Sequence, residues 1–242
     1  MPPNRRDRNG TVVTNPTPNP NPRPQPPSPP SFVITVVDHS LPYETHNIYS
    51  ITFDSNPPIQ TLLTSTPSIV DTWLLDTLCL QTPSPLLIGL DIEWRPNFQR
   101  GQSNPAAVLQ LCINNRCLVF QILHSPFIPD SLLTFLANPN NRFVGVGIKA
   151  DVEKLLEDYN IIVTNFVDLR NLPADVLNDR EMLRTGIKSL AQRVIEKSVQ
   201  KPKRVSMSRW DNVRLNAQQV KYATVDAFVS FEIARLLYSH HN

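Results

Sequence analysis

Cysteine is scarce in this chain and follows no pattern. Cys79, Cys112 and Cys117 make an odd count with no Cys-x-x-Cys and no Cys/His array. That speaks against a disulfide framework or a zinc site, and predicts three small buried hydrophobes in a reducing compartment. The histidines form no ligand motif either: His240 and His241 lie at the end, and His39, His46 and His124 are scattered. Any metal is therefore expected to be held by oxygen. No Gly-x-x-x-x-Gly-Lys stretch is present, which removes the phosphate cradle of the common ATP-using folds. No apolar run is long enough to span a bilayer, and the N-terminus lacks the apolar core of a signal peptide. A soluble intracellular protein of the nucleus and/or cytoplasm, with no membrane contact, is expected.

Proline, by contrast, is abundant and concentrated. Residues 1–31 hold 11 of the 24 prolines and almost no bulky apolar side chains. Such a segment buries too little surface to offset its ordering entropy, so it reads as a disordered or polyproline-like tail, open to a protein partner. The tail also carries four arginines against one aspartate, while the whole chain is only +2. Arg5, Arg6 and Arg8 read either as part of a targeting signal or as a solvated terminus. Positive charge gathers once more, over 193–214. There Arg193, Lys197, Lys201, Lys203, Arg204, Arg209 and Arg214 face only Glu196 and Asp211. This stretch reads as a phosphate-binding surface or as a solvated loop, and Pro202 favours a loop.

Carboxylates supply the sharpest signal. The apolar run Leu86-Leu87-Ile88-Gly89-Leu90-Asp91-Ile92-Glu93-Trp94, between Pro85 and Pro96, reads as a buried central strand. Alternation along a strand sends Asp91 and Glu93 to the same face. Two acids held that close repel each other, and a bound divalent metal relieves the repulsion. The pair alone reads equally well as a strand running out into solvent. Asp151 falls in the first turns of a helix that follows the short strand ending at Gly147, where an acid also simply suits the helix dipole. Tyr222 and Asp226 lie four apart in a long apolar helical pattern from about 216 to 238, so they share a face. Packing alone accounts for the tyrosine and not for the aspartate.

Together Asp91, Glu93, Asp151, Tyr222 and Asp226 match the four acids and one tyrosine of the DEDD family of 3′–5′ exonucleases, tyrosine subclass. The chain resembles its Werner-like members over roughly residues 85–240. Further carriers are Ala107-Val108-Leu109-Gln110-Leu111-Cys112, Val144-Gly145-Val146-Gly147-Ile148 and Ser208-Arg209-Trp210. The resemblance implies a ribonuclease H-like α/β fold, a mixed sheet flanked by helices. It also implies hydrolysis from the 3′ end of nucleic acid, DNA before RNA, to nucleoside 5′-monophosphates. Two Mg²⁺ or Mn²⁺ ions about 4 Å apart suit an oxygen-only ligand set. Asp91 is expected to bridge both, with Glu93 and Asp226 on one ion and Asp151 on the other through water. Tyr222 is expected to orient the attacking water as a hydrogen-bonding group.

Nucleic-acid contacts are expected from Trp94, Phe98, Arg100, Lys201, Lys203, Arg204 and Arg209, although Trp94 reads first as core. Trp210 is expected to pack the basic loop onto the final helix. One position departs from the family: Glu153 stands where animal Werner exonucleases carry an aromatic residue, and an acid neither stacks nor attracts phosphate. Two other classes compete, a catalytically silent nucleic-acid-binding module and a ribonuclease D-like RNA-processing enzyme. The intact acids oppose the first. The expectation that no RNA-binding domain follows residue 242 weakens the second.

The elements expected are strands at 32–37 and 47–53 and a helix over 67–78, forming an N-terminal extension (32–80) of one domain, 32–242. Strands follow at 86–93, 106–113 and 116–122, the last two joined through Asn114-Asn115 as a hairpin. Then come a helix at 130–137, a strand at 142–147, a helix at 148–158, a strand at 161–167, helices near 170–177 and 186–196, and the final long helix. That order suits an α/β domain.

Overall fold

The computed structural model describes residues 30–239 apart from 55, 81–84, 98, 100 and 173–182. The predicted tail up to residue 29, the tip of the predicted helix near 170–177, and both Phe98 and Arg100 lie outside the described residues. Eight strands form one mixed sheet: β1 (Ile34–Asp38), β2 (His46–Phe53), β3 (Ile59–Thr64), β4 (Leu86–Glu93), β5 (Val108–Ile113), β6 (Arg116–Phe120), β7 (Asn141–Gly145) and β8 (Phe166–Asp168). Their spatial order is β1-β2-β3-β6-β5-β4-β7-β8. Strands β1 to β3 are antiparallel, β3 joins β6 in parallel, β6-β5-β4 are antiparallel, and β4-β7-β8 are parallel.

The helices are α1 (Pro67–Cys79), α2 (Asp130–Ala137), α3 (Ile148–Tyr159), α4 (Ile187–Val194), the short α5 (Lys203–Ser206) and α6 (Ala217–Ser239). Among the described residues, no helix is long and apolar enough to cross a membrane. Alternation along β4 sorts the two layers. Ile88, Leu90 and Ile92 pack with Val70, Trp73 and Leu74 of α1, Leu132 of α2 and Leu155 of α3. The opposite face of the sheet packs on α4 and α6, through Val144, Leu190, Ala191, Val225, Ala227, Val229 and Ile233. Helix α6 crosses β4 to β7 and is buried on nearly every side, which explains why its pattern is apolar almost all round.

The strand expected over 161–167 shrinks to Phe166–Asp168, and two further findings differ from the sequence reading. Strand β3 was not foreseen: Leu62-Leu63 blurs its alternation, and one of its two neighbours, β6, lies more than fifty residues on. The second concerns cysteine. Cys112 and Cys117 are buried, as expected, yet they are joined in a disulfide. The two-residue turn at Asn114-Asn115 sets Ile113 opposite Arg116 and Cys112 opposite Cys117. Directly opposed cross-strand residues come close enough to bridge. Cys79, expected to be buried, is free and exposed near the end of α1.

At the N-terminal side, Ser198 N–H donates to the Pro30 carbonyl (2.9 Å) and Phe32 N–H to the Ser198 carbonyl (3.1 Å). The last two residues of the predicted tail are thus tied to the stretch that leads into the basic segment.

Candidate active site

Strand β4 delivers Asp91 and Glu93 to the face covered by α6, because both lie in register with Gly89. An added Cβ at Gly89 would overlap the Ala227 carbonyl oxygen and stand 3.0 Å from the Phe231 nitrogen. Only glycine lets the helix backbone come this close to the strand. The residue before Ala227 is Asp226, 2% exposed, so this contact brings the helix acid over the strand acids.

The register of α6 is set at its first turn. Asn216 Oδ1 accepts from the N–H groups of Gln218 (3.0 Å) and Gln219 (3.1 Å). Gln219 Oε1 in turn accepts from Asn216 N–H (3.2 Å), a reciprocal capping box. Gln219 Nε2 also donates to Ser208 Oγ (3.0 Å) and the Arg209 carbonyl (3.3 Å). Trp210 is fully buried, donates to the Ser206 carbonyl (3.2 Å), and lies 5.9 Å from the Tyr222 ring. It does pack the basic segment onto the final helix, as its sequence context implied.

Asp91, Glu93 and Asp226 each offer a carboxylate oxygen within 4.8 Å of the others. Asp151 stands outside that distance, in the first turn of α3. Strands β4 and β7 run parallel, so the end of β4 and the start of α3 share one edge of the sheet. Gly147, at φ +77°, makes the turn between β7 and α3.

Electrostatics mark the cluster as short of positive charge. Burial, then the charges of Asp226 and Asp151, hold the Asp91 carboxyl well above the usual range. Burial, then Asp91 and Asp226, push Glu93 up to about 10. Burial and Asp168 push Asp151 up to about 7. Asp226 is raised too, burial outweighing the attraction of Lys201. Burial and Asp226 likewise raise the Tyr222 phenol, so it stays protonated at neutral pH and serves as a hydrogen-bonding group. Buried carboxylates that ionise only against such resistance, with oxygen donors alone, fit a hard divalent cation.

Those shifts fix a pH dependence for metal-free protein. A folded carboxyl with a raised pKa keeps a proton that the unfolded chain has already given up, so stability falls as pH rises between the two values. For Glu93 the window runs from 4.5 to about 10, and for Asp151 from 3.8 to about 7. In chelator, the melting temperature is expected to fall steadily from pH 5 to pH 9, by roughly 2–4 °C per kcal/mol lost. Mg²⁺ or Mn²⁺ is expected to flatten that slope. Thermal denaturation across pH, with and without metal, measures it. A chelated protein that gains stability toward pH 9 contradicts the raised carboxyls.

The remaining predicted contacts divide. Lys203 and Arg204 are exposed. Arg209 is exposed but pairs with Asp211 (3.3 Å), as does Arg95 (3.1 Å). Trp94 packs partly against the first core, with Lys154 Nζ 5.3 Å from its ring centre. Glu153 is exposed and pairs with Lys149 at 3.6 Å, one helical turn away.

Lys201 departs furthest from expectation. Its Nζ lies 2.7 Å from Asp226 Oδ2, a close ion pair without hydrogen-bond geometry, and 5.2 Å from the Tyr222 ring centre. Sequence reading also passed over Gln110, which sits directly opposite Asp91 on β5. It is fully buried, and neither amide atom has a hydrogen-bond partner among the described residues. A glutamine inside Val108-Leu109-Gln110-Leu111 was the available signal.

Comparison with known proteins agrees with this geometry. The family model described as 3′–5′ exonuclease matches residues 68–240. A 3′–5′ exonuclease of Arabidopsis thaliana is 34% identical over 152 residues, 62% of this chain and 52% of that protein. The bifunctional 3′–5′ exonuclease/ATP-dependent helicase WRN of Mus musculus is 32% identical over 152 residues, 62% of this chain and 11% of that one. The chain thus spans about half the length of the first relative and a small part of the second. The exonuclease domain of Aedes aegypti Nibbler superposes with TM-score 0.61 at 19% identity, covering 74% of this chain and 89% of that one. That likeness carries the fold alone: a ribonuclease H-like mixed sheet flanked by helices, as the sequence resemblance implied. The family depends on divalent metal, for which the carboxylate cluster supplies oxygen ligands. With the match running from the first helix to the end of the last, the chain belongs to the 3′–5′ exonuclease family.

Proposed function

We propose that this chain is a metal-dependent 3′–5′ exonuclease that degrades DNA from its 3′ end and releases nucleoside 5′-monophosphates. The observation that carries this reading is the convergence of Asp91, Glu93 and Asp226 within 4.8 Å, at raised pKa, beside Tyr222. Asp91, Glu93, Asp226 and Asp151 would hold two Mg²⁺ or Mn²⁺ ions. When bound, such ions supply the positive charge that an in-line phosphodiester displacement requires. Tyr222, its phenol protonated and almost buried, orients water at the terminal phosphodiester by hydrogen bonding. Trp210, in the same buried cluster and 5.9 Å from its ring, packs against that tyrosine.

The exposed Lys203 and Arg204 supply phosphate contacts away from the scissile bond, and the proline-rich tail supplies a docking segment for a protein partner. Charges remote from the reacting atoms act equally on ground and transition states. Neutralising Lys203 and Arg204 together is therefore expected to raise KM with little change in kcat. Each lost phosphate contact is expected to lower the steepness of the salt dependence by roughly 0.7–0.9. KM for one oligonucleotide at several salt concentrations measures this. An unchanged slope assigns the pair to an ordinary surface.

The function itself is tested on matched 3′-recessed DNA and RNA duplexes, with Mn²⁺ or with chelator. Loss of single nucleotides from the 3′ end of DNA, as 5′-monophosphates and only with metal, is the expected result. Equal or faster loss from RNA reassigns the substrate class. Degradation that continues in chelator, or no degradation at all, refutes the reading.

A further inference from the structure

A cation already sits among the acids. Lys201 Nζ touches Asp226 Oδ2 at 2.7 Å, and Asp226 is almost wholly buried. Other cations of the same stretch turn elsewhere: Lys197 pairs with Asp54 at 3.0 Å, Arg209 pairs with Asp211, and Lys203 and Arg204 face solvent. The backbone that presents Lys201 is anchored on both sides. Ser198 bridges to Ser31, and Val205 is buried against Trp210 and Tyr222. About a third of the side chain reaches solvent, so the ammonium has a way out.

An ammonium and a divalent ion make the same demand on a carboxylate oxygen. Mg²⁺ binds such an oxygen at about 2.0–2.1 Å and demands near-ideal geometry. A second cation held at hydrogen-bond distance on the same oxygen repels the ion strongly where water is scarce. The two occupants exclude each other. We propose that Lys201 is a tethered competitor for the metal site: its ammonium holds Asp226 in the metal-free protein and leaves that carboxylate when a divalent ion binds. Lys201 thereby lowers the metal affinity below what the four acids alone would give, and offsets part of their mutual repulsion in the meantime. The inference rests on the functional reading above, because it takes these acids to be the metal ligands.

The test is Mn²⁺ binding to the full chain, followed by calorimetric titration, for wild type, Lys201→Met and Asp91→Asn. Lys201→Met is expected to bind Mn²⁺ about tenfold more tightly than wild type, an effect that a merely structural lysine does not produce. Equal or weaker binding by a folded Lys201→Met overturns the proposal. If wild type binds no better than Asp91→Asn, the metal site itself fails and both readings fall. If wild type binds, Asp91→Asn does not and Lys201→Met gains nothing, only the Lys201 inference falls. A measurement on unmutated protein covers the case in which the variant does not fold. Acetylation of Lys201 by acetic anhydride, read by peptide mass spectrometry against Lys203, is expected to rise severalfold when Mn²⁺ is added. No rise overturns the proposal.

Discussion

Asp91→Asn is expected to lower exonuclease turnover by at least about a thousandfold while leaving the melting temperature unchanged or higher. A thousandfold corresponds to about 4 kcal/mol of transition-state stabilisation, of the kind that metal-borne positive charge at the phosphate would supply if Asp91 held it as proposed. The stability half of the expectation comes from the metal-free protein. There the Asp91 carboxyl is held well above its usual range by burial first and by Asp226 and Asp151 next. An amide of the same shape carries no charge to desolvate and repels neither neighbour. The substitution thus separates catalysis from folding. It is read by release from a 3′-labelled strand together with thermal denaturation. A folded Asp91→Asn enzyme working at the wild-type rate refutes the assignment of Asp91 to the reacting centre.

Gly89→Ala is expected to damage both. The added methyl meets backbone, the Ala227 carbonyl and the Phe231 nitrogen, and backbone in a helix does not step aside as a side chain does. Strand β4 or helix α6 has to shift. Overpacking of this kind costs roughly 3 kcal/mol, or about 6–12 °C for a domain of this size. Any shift also separates Asp91 from Asp226, since both lie within two residues of the contact, so turnover is expected to fall at temperatures where the variant is still folded. Gly186→Ala is the matched control, because its new Cβ meets nothing within 4 Å. If Gly89→Ala melts within a degree or two of that control, the tight strand–helix contact is not what assembles the site.

Much of the site was legible because its signals are local. Alternation put Asp91 and Glu93 on one face, and four-residue spacing put Tyr222 and Asp226 on one helical side; the structure carries both placements. The elements 86–93, 116–120, 130–137 and 148–159 sit within a few residues of their expected bounds. What escaped depends on contacts between distant segments. Lys201 lies in a run of positive charge that locally suggests a solvated or phosphate-facing loop, and nothing local says that one member turns inward to Asp226. The Cys112–Cys117 bridge was derivable, since the expected Asn114-Asn115 turn already sets those residues opposite each other. The odd cysteine count argued the other way. Gly89 drew no separate reading within the apolar run, and its reason appears only where α6 crosses it.

The distance along the chain between Glu93 and Asp226 has a consequence for biosynthesis. Synthesis runs from the N-terminus, and segments fold as they emerge. A nascent chain carries Asp91, Glu93 and Asp151 long before the ribosome reaches Ala217. Until α6 has emerged and closed over β4, the emerging chain has neither Asp226 nor Tyr222 to complete the cluster. A polypeptide stalled before that helix leaves uncovered the sheet face on which α6 packs and leaves the cluster short of Asp226. The cluster is therefore complete only once α6 has packed over β4, whatever part of the sheet has folded before it.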